Sequence, residues 1–288
     1  MAAQHIVLYG KGGVGTSTTA ANISAALAEL GFRVVQIGFD ARHDSTRTLR
    51  GDVRVKTILD LLSSKRPLAV EDVAVTGFKG VLCVEAGMPD PHVGCSGHRF
   101  KAVISRLGEP SFLESYRPDF VLYDVSAEAV CGGITAPLLN GIAERVYVVS
   151  SSDFMSIFAA NNILRTIQKH GDGGRLTFGG ILANGLAAPF MESIIADFAA
   201  KTGVTDVRYI PRSLVVMQCE LYGRTVIDAA PLSNHAYLYR RLARHIAEHE
   251  AVGLPHSLSR EEMTNWARGW GDRIVELETG VISNGEGI

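Results

Sequence analysis

The stretch Tyr9-Gly10-Lys11-Gly12-Gly13-Val14-Gly15-Thr16-Ser17-Thr18 decides how this chain reads, because of what stands on either side of it. Before it, His5-Ile6-Val7-Leu8-Tyr9 is a short apolar run with strand character. After it, Ala21, Ile23, Ala26, Leu27 and Leu30 recur at helical spacing and Gly31 supplies a stop. A strand, a glycine-rich turn and a helix N-terminus together make an anion site from backbone N–H groups alone. In the phosphate-loop pattern G-x-x-x-x-G-K-[ST], the N–H groups cradle phosphate oxygens, the lysine reaches the β- and γ-phosphates, and the hydroxyl holds Mg²⁺. Gly10, Gly15 and Ser17 fall in register, but Thr16 stands where the lysine belongs.

Working outward, apolar strands alternate with helical segments along most of the 288 residues. Strands are expected at 33–39, 81–85, 119–124, 145–150, 176–182 and 207–210. Helices are expected at 57–62, 100–107, 154–169 and 234–250, with a short one after an N-cap at Ser259. The near-continuous apolar strands predict an α/β fold: a single P-loop NTPase domain whose mainly parallel sheet is flanked by helices on both faces. That domain is expected over residues 1–250, and residues 251–288 form a C-terminal tail that is disordered or packs on a partner subunit. Ligands of such sheets bind beyond the carboxyl ends of the strands.

Composition narrows the class. A net charge of −2 gives no field for nucleic acid or an anionic membrane surface. No apolar run approaches the roughly 18 residues of a membrane span. The first strand starts too close to Met1 to leave room for a secretion signal, so a cytoplasmic location is expected. Four cysteines are too few and too scattered for a disulfide framework.

Asp40 and Asp124 each end an apolar strand, which places two carboxylates at the same sheet edge as the loop. One such carboxylate can hold Mg²⁺ and another can orient or deprotonate a water, although each taken alone reads equally as a turn or cap residue. Cys95, in His92-Val93-Gly94-Cys95-Ser96-Gly97, and Cys131, in Ala129-Val130-Cys131-Gly132-Gly133, are both flanked by glycine. Glycine neighbours allow backbone N–H groups to approach a sulfur, as around iron–sulfur clusters. Cys83 lies inside an apolar strand and Cys219 in a segment without such glycines, so both read as structural. Two ligands cannot complete a four-cysteine cluster, but two copies of the chain can if the cluster lies on a two-fold axis.

With these residues in hand, the chain resembles the iron protein of nitrogenase. It equally resembles that protein's relatives in the dark-operative protochlorophyllide and chlorophyllide reductases, the nickel-sirohydrochlorin reductase and other nitrogenase-like reductases. The stretches that carry the resemblance are YGKGGVGTSTTAANISAALAELG from Tyr9, IGFDARHDSTR from Ile37, VLCVEAGMPDPHVGCSG from Val81 and FVLYDVSAEAVCGGITAP from Phe120. AANNI from Ala159, ILANG from Ile181 and IPRSLVV from Ile210 continue it.

The resemblance implies a homodimer bridged by one [4Fe–4S] cluster, held by Cys95 and Cys131 of each subunit. MgATP hydrolysis would be coupled to one-electron delivery into a separate catalytic component, a nitrogenase-like heterotetramer. A ferredoxin or flavodoxin would supply the low-potential electrons. By position, Gly10, Lys11, Gly12, Gly13, Val14, Gly15, Thr16, Ser17 and Thr18 would bind the nucleotide, with Lys11 acting across the dimer and Ser17 holding Mg²⁺. Asp40 to Asp44 would form a first switch and Asp124 would start a second. Lys11, Asp40 and Glu128 would be the catalytic groups, and Asn184, Pro211 and Arg212 would approach the adenine.

Three departures stand out. Thr16 removes the loop lysine, Glu128 replaces an aspartate of the second switch, and His98 stands where a docking arginine is usual. They point away from a standard dinitrogen-fixing protein and toward a divergent system, such as carbon–sulfur or tetrapyrrole reduction. Two other readings stay open: a nucleotide-binding iron–sulfur redox regulator with little hydrolysis, and a partitioning-type ATPase. The tail offers no amphipathic anchor for the latter.

Overall fold

The computed structural model describes residues 3–40, 42–62, 68–87, 97–126, 142, 144–171, 176–248 and 253–280. Cys95, Glu128 and Cys131 lie outside the described residues, as do the side chains of His98 and Arg99.

Among the described residues eight strands form one sheet: β1 (Gln4–Gly10), β2 (Val34–Phe39), β3 (Val75–Thr76), β4 (Leu82–Glu85), β5 (Phe120–Ser126), β6 (Arg145–Ser150), β7 (Thr177–Leu186) and β8 (Val207–Pro211). Their order is β3-β4-β2-β5-β1-β6-β7-β8, and only the β3–β4 pair is antiparallel. β2 and β6 are buried almost end to end, as expected of parallel strands covered on both faces. The chain works to one side of β1 through β2, β4 and β5, then to the other through β6, β7 and β8. The crevice at β1 is therefore the switch point where a ligand belongs.

The helices are α1 (Thr16–Glu29), α2 (Arg47–Arg50), α3 (Gly97–Leu107), α4 (Phe154–Gly171), α5 (Pro189–Thr202), α6 (Leu214–Leu221), α7 (Val226–Ala229), α8 (Asn234–Glu248) and α9 (Arg260–Thr279). Buried residues divide into two apolar cores, one on each side of the sheet. Val7, Tyr9, Ile37, Tyr123, Ile157 and Phe198 belong to one; Ile6, Leu8, Ile23, Leu27, Leu122 and Tyr239 belong to the other. Alternate residues of β1 feed opposite cores, as the period-two geometry of a strand requires.

Two sequence expectations need correction. The helix expected at 57–62 is only a 3₁₀ turn, Leu59–Leu61. The N–H groups of Ile58 and Leu59 go to the carbonyls of Glu85 and Ala86, which ties the segment to the end of β4, and the turns it closes are i to i+3: Leu61 N to the Ile58 carbonyl at 3.1 Å and Leu62 N to the Leu59 carbonyl at 3.4 Å. The helix after Ser259 is not short, since α9 runs 20 residues. Its capping box is formed as the sequence suggests: Ser259 Oγ accepts from Glu262 N at 3.2 Å, and Glu262 Oε2 accepts from Ser259 N at 2.7 Å. Met263, Trp266 and Trp270 join the first core, and both indole N–H groups donate to Asp197 Oδ2 at 2.8 Å. The Asn161 amide meanwhile clips the N–H and carbonyl of Leu258, so residues 258–270 pack on their own chain.

Candidate functional site: the nucleotide loop and the carboxylates around it

The loop between β1 and α1 is built by glycine. Gly13 and Gly15 take φ of 82° and 90°, a left-handed conformation that side chains rarely tolerate. A Cβ on Gly10 would come within 2.4 Å of Thr16 Oγ1 and 2.8 Å of the Val149 carbonyl, so the loop closes down over Gly10. Thr16 is buried, its hydroxyl turned toward Gly10, and it contributes no charge to the loop. Lys11 and Ser17 are half-buried at the loop. Thr18 donates from its hydroxyl to Glu220 of α6.

The strand order brings the expected groups together. Asn184, near the end of β7, donates from Nδ2 to the Val14 carbonyl at 2.7 Å and so braces the loop from the side. Pro211 ends β8, and Arg212 N donates to the Leu186 carbonyl at 2.8 Å, which sets both at the same sheet edge as Asn184. On the other side of β1, Asp124 lies level with Leu8 of β1 and Gly38 of β2. It is buried and hydrogen-bonded to the hydroxyls of Ser17 and Ser45, the latter at 2.6 Å. Burial pushes its carboxyl up to about 6, against the pull of the two hydroxyl donors. A buried carboxylate facing a serine hydroxyl at a phosphate loop suits a hard divalent cation, which favours oxygen ligands and restores the charged form.

Asp40 and Asp44 form a hydrogen-bonded pair with Arg42 across them, 3.1 Å from Asp40 Oδ2 and 3.7 Å from Asp44 Oδ2. Burial raises Asp44, and its hydrogen bond to Asp40 raises it further. Burial works against ionisation of Asp40 as well, but the Arg42 N–H, the bond to Asp44 and the guanidinium outweigh it and hold that carboxyl below its usual range. The two carboxyls are coupled and titrate as a unit. Both charges act on Asp124, which fixes the pair near the loop.

One residue escaped the sequence reading. Glu85, at the end of β4, is fully buried, and burial pushes its carboxyl up to about 7. Its Oε1 accepts from the N–H and hydroxyl of Thr46 at 2.9 and 2.6 Å. Its Oε2 has no partner among the described residues. The signal was present: like Asp40 and Asp124, Glu85 is a carboxylate closing an apolar strand. Of the four cysteines, Cys83 and Cys219 are buried as free thiols, and burial with the nearby Glu85 charge pushes Cys83 up to about 12. Among the described residues no group of three or more His, Cys, Asp and Glu side chains is placed to hold a metal.

Comparison with known proteins agrees with this geometry. Residues 4–270 match the family model described as 4Fe-4S iron sulfur cluster binding proteins, NifH/frxC family. The nitrogenase iron protein 2 of Paenibacillus durus is 44% identical over 280 residues, 97% of this chain and 96% of that protein. The nitrogenase iron protein of Methanospirillum hungatei is 40% identical over 93% of this chain and 96% of its own. Among solved structures, the cell division ATPase MinD of Pyrococcus furiosus superposes with a TM-score of 0.64 at 20% identity, covering 85% of this chain and 98% of that one. That likeness bears on the fold alone.

Proposed function

From the premise that the chain belongs to the NifH/frxC family of 4Fe-4S cluster binding proteins, we propose that it is the ATP-dependent electron donor of a nitrogenase-like two-component enzyme. The observation that carries the reading is the position of Asp124. It is bonded to Ser17 of the nucleotide loop on one side, and it stands seven residues ahead of Cys131 on the other. A carboxylate that responds to Mg²⁺ and nucleotide at one end of so short a segment can displace a cluster ligand at the other.

In this reading Ser17 and Asp124 hold Mg²⁺, the loop amides of residues 10–18 hold the phosphates, and Asn184 and residues 211–212 flank the base. Lys11 is the cation that reaches the partner subunit's nucleotide, and Asp40 and Glu128 place or deprotonate the water. Cys95 and Cys131 of two subunits hold one cluster, which supplies one-electron chemistry when bound. The homodimer hands electrons to a separate catalytic component and is recharged by a small low-potential donor. Thr16 and Glu128 favour a divergent system over standard dinitrogen reduction. Among the described residues no helix is long and apolar enough to cross a membrane.

Anaerobic purification with iron counting tests the cluster: roughly four irons per dimer are expected, and they should be lost in Cys95→Ala. A full iron load surviving that change would sink the proposal. For hydrolysis, Lys11→Ala should abolish turnover in the presence of the catalytic component, and Thr16→Lys should not. The missing lysine favours one second reading, a redox regulator that binds nucleotide without turnover. Absence of ATP-dependent electron transfer to the catalytic component would select it.

A further inference from the structure

Three strand ends stand side by side at the nucleotide edge: Glu85 on β4, Gly38 on β2 and Asp124 on β5 are directly in register. Paired residues of neighbouring strands project to the same face, so two buried carboxyls flank a residue with no side chain. Ser45 lies over that gap. A Cβ on Gly38 would come within 2.3 Å of both Glu85 Oε2 and Ser45 Cβ, and within 2.8 Å of Ser45 Oγ. The two oxygens are therefore no farther apart than the distances from that single point allow. Ser45 Oγ donates to Asp124, while Glu85 Oε2 is fully buried without a partner among the described residues, an arrangement that costs free energy and calls for a reason.

We propose that the Ser45 hydroxyl is a two-position contact, on Asp124 in the state seen here and on Glu85 Oε2 once Asp124 turns to a magnesium nucleotide; this rests on the nucleotide reading above. The surroundings favour a change at the side chain alone. Gln36 Nε2 donates to the Ser45 carbonyl at 3.2 Å and to Ser45 Oγ at 3.3 Å, and Gln36 is itself fixed by Ser24 at 2.8 Å. Thr46, the next residue, is bonded to Glu85 Oε1 through both N–H and hydroxyl. With the backbone pinned on both sides, a change of staggered rotamer at Ser45 moves its hydroxyl from one carboxyl toward the other. Asp124 is freed for the cation and Glu85 gains the partner it lacks. Gly38 permits this, because any side chain there would fill the path.

The test is a double-mutant cycle on binding of β,γ-imido-ATP with Mg²⁺ by the full chain, read by calorimetry. Glu85→Leu removes a contact made only with nucleotide bound and should weaken binding about tenfold; Ser45→Ala removes one contact from each state and should shift binding by less than about threefold, and adding Glu85→Leu to Ser45→Ala should weaken it no further. Glu85→Gln keeps an oxygen and gains a donor, and it should restore binding to within about threefold of wild type. Losses that multiply in the double variant, or wild-type binding by Glu85→Leu, overturn the hand-over. Should Glu85→Leu fail to fold, infrared difference spectra of the wild-type chain decide, with the Glu85 carboxyl band assigned by Glu85→Gln. That band should shift when the nucleotide is added, and a band that stays in place overturns the hand-over. A wild-type chain that does not bind the analogue overturns the nucleotide reading itself.

Discussion

Two carboxylate-centred clusters sit at different places in this molecule and are built in opposite ways. At the C-terminal helix, Asp197 accepts from the indoles of Trp266 and Trp270, two large side chains packed in the core. At the nucleotide edge, Asp124 accepts from Ser17 and Ser45, two small rotors, and Glu85 beside it keeps an unpaired oxygen. In the first cluster the hydrogen bonds are fixed by the packing of the donors, so the carboxylate serves stability. In the second, burial disfavours the charged carboxylates, and the hydroxyls that compensate can be moved or withdrawn. The difference shows where free energy is held ready for a ligand: a buried oxygen whose partners can leave binds a cation more strongly than one locked in place.

The comparison is most open to breakage at Trp266. Truncation to alanine removes a core aromatic that also packs edge-on against Phe198, and it should cost about 4 kcal/mol of unfolding free energy. Urea unfolding measures the loss, and nucleotide affinity should stay within about twofold of wild type, since the cluster touches nothing at the loop. A parallel collapse of nucleotide binding would mean the two regions are not independent.

The next largest effect is a pH dependence confined to the nucleotide edge. Burial raises Glu85 from 4.5 to about 7 and Asp124 from 3.8 to about 6. Both groups therefore bind protons more tightly when folded than when unfolded. Their contribution is complete below the unfolded values and is lost as pH rises, for Glu85 between about 4.5 and 7. At 1.36 kcal/mol per unit, Glu85 alone accounts for about 3 kcal/mol between acid and neutral pH. Unfolding measured from pH 5 to pH 8 should show stability falling in the wild type and in Trp266→Ala alike, and a flatter profile in Glu85→Gln. If Glu85→Gln keeps the full slope, the nucleotide edge is not where the protons are held.

A smaller effect separates binding from stability at one residue. Asp124→Asn removes the charge a divalent cation would meet, so Mg·ATP affinity should fall at least about tenfold, near 1.4 kcal/mol. Thermal stability at pH 8 should not fall with it, because the amide carries no buried charge. A variant that unfolds earlier yet binds as before would reverse the assignment and make Asp124 a structural group.

How much of this was legible in the sequence follows the same division. The loop, its strand and the α1 helix were readable because Gly10, Gly15 and Ser17 keep a fixed spacing and the flanking apolar periods differ in kind. Asp40 and Asp124 were legible at one edge because a parallel sheet sends every such strand end to the same side, whereas Asn184 came only from the resemblance and lies inside β7. The α5 helix was missed, although Pro189 at its first turn and Gly203 in the left-handed conformation at its end are ordinary boundary signals. Glu85 was passed over because its importance depends on register: only the pairing of β4 with β2 and β2 with β5 sets it across Gly38 from Asp124. The 57–62 helix was overestimated because apolar spacing over so few residues does not separate a single 3₁₀ turn from an α-helix.

The smallest effect tests whether the clamp at the far helix is as remote as it looks. Ser259 caps α9 through a reciprocal pair with Glu262, four residues before the first buried member of that helix, Met263. Ser259→Ala removes the side-chain acceptor for Glu262 N and should cost about 1 kcal/mol. Because the Trp266 and Trp270 bonds to Asp197 hold the helix further along, the loss should remain local and appear as faster hydrogen exchange in the first turn of α9. Fraying that reached Trp270 would mean that the cap, and not the aromatic clamp, fixes the helix. The carboxylate at Asp197 would then be as easily released as the one at Asp124.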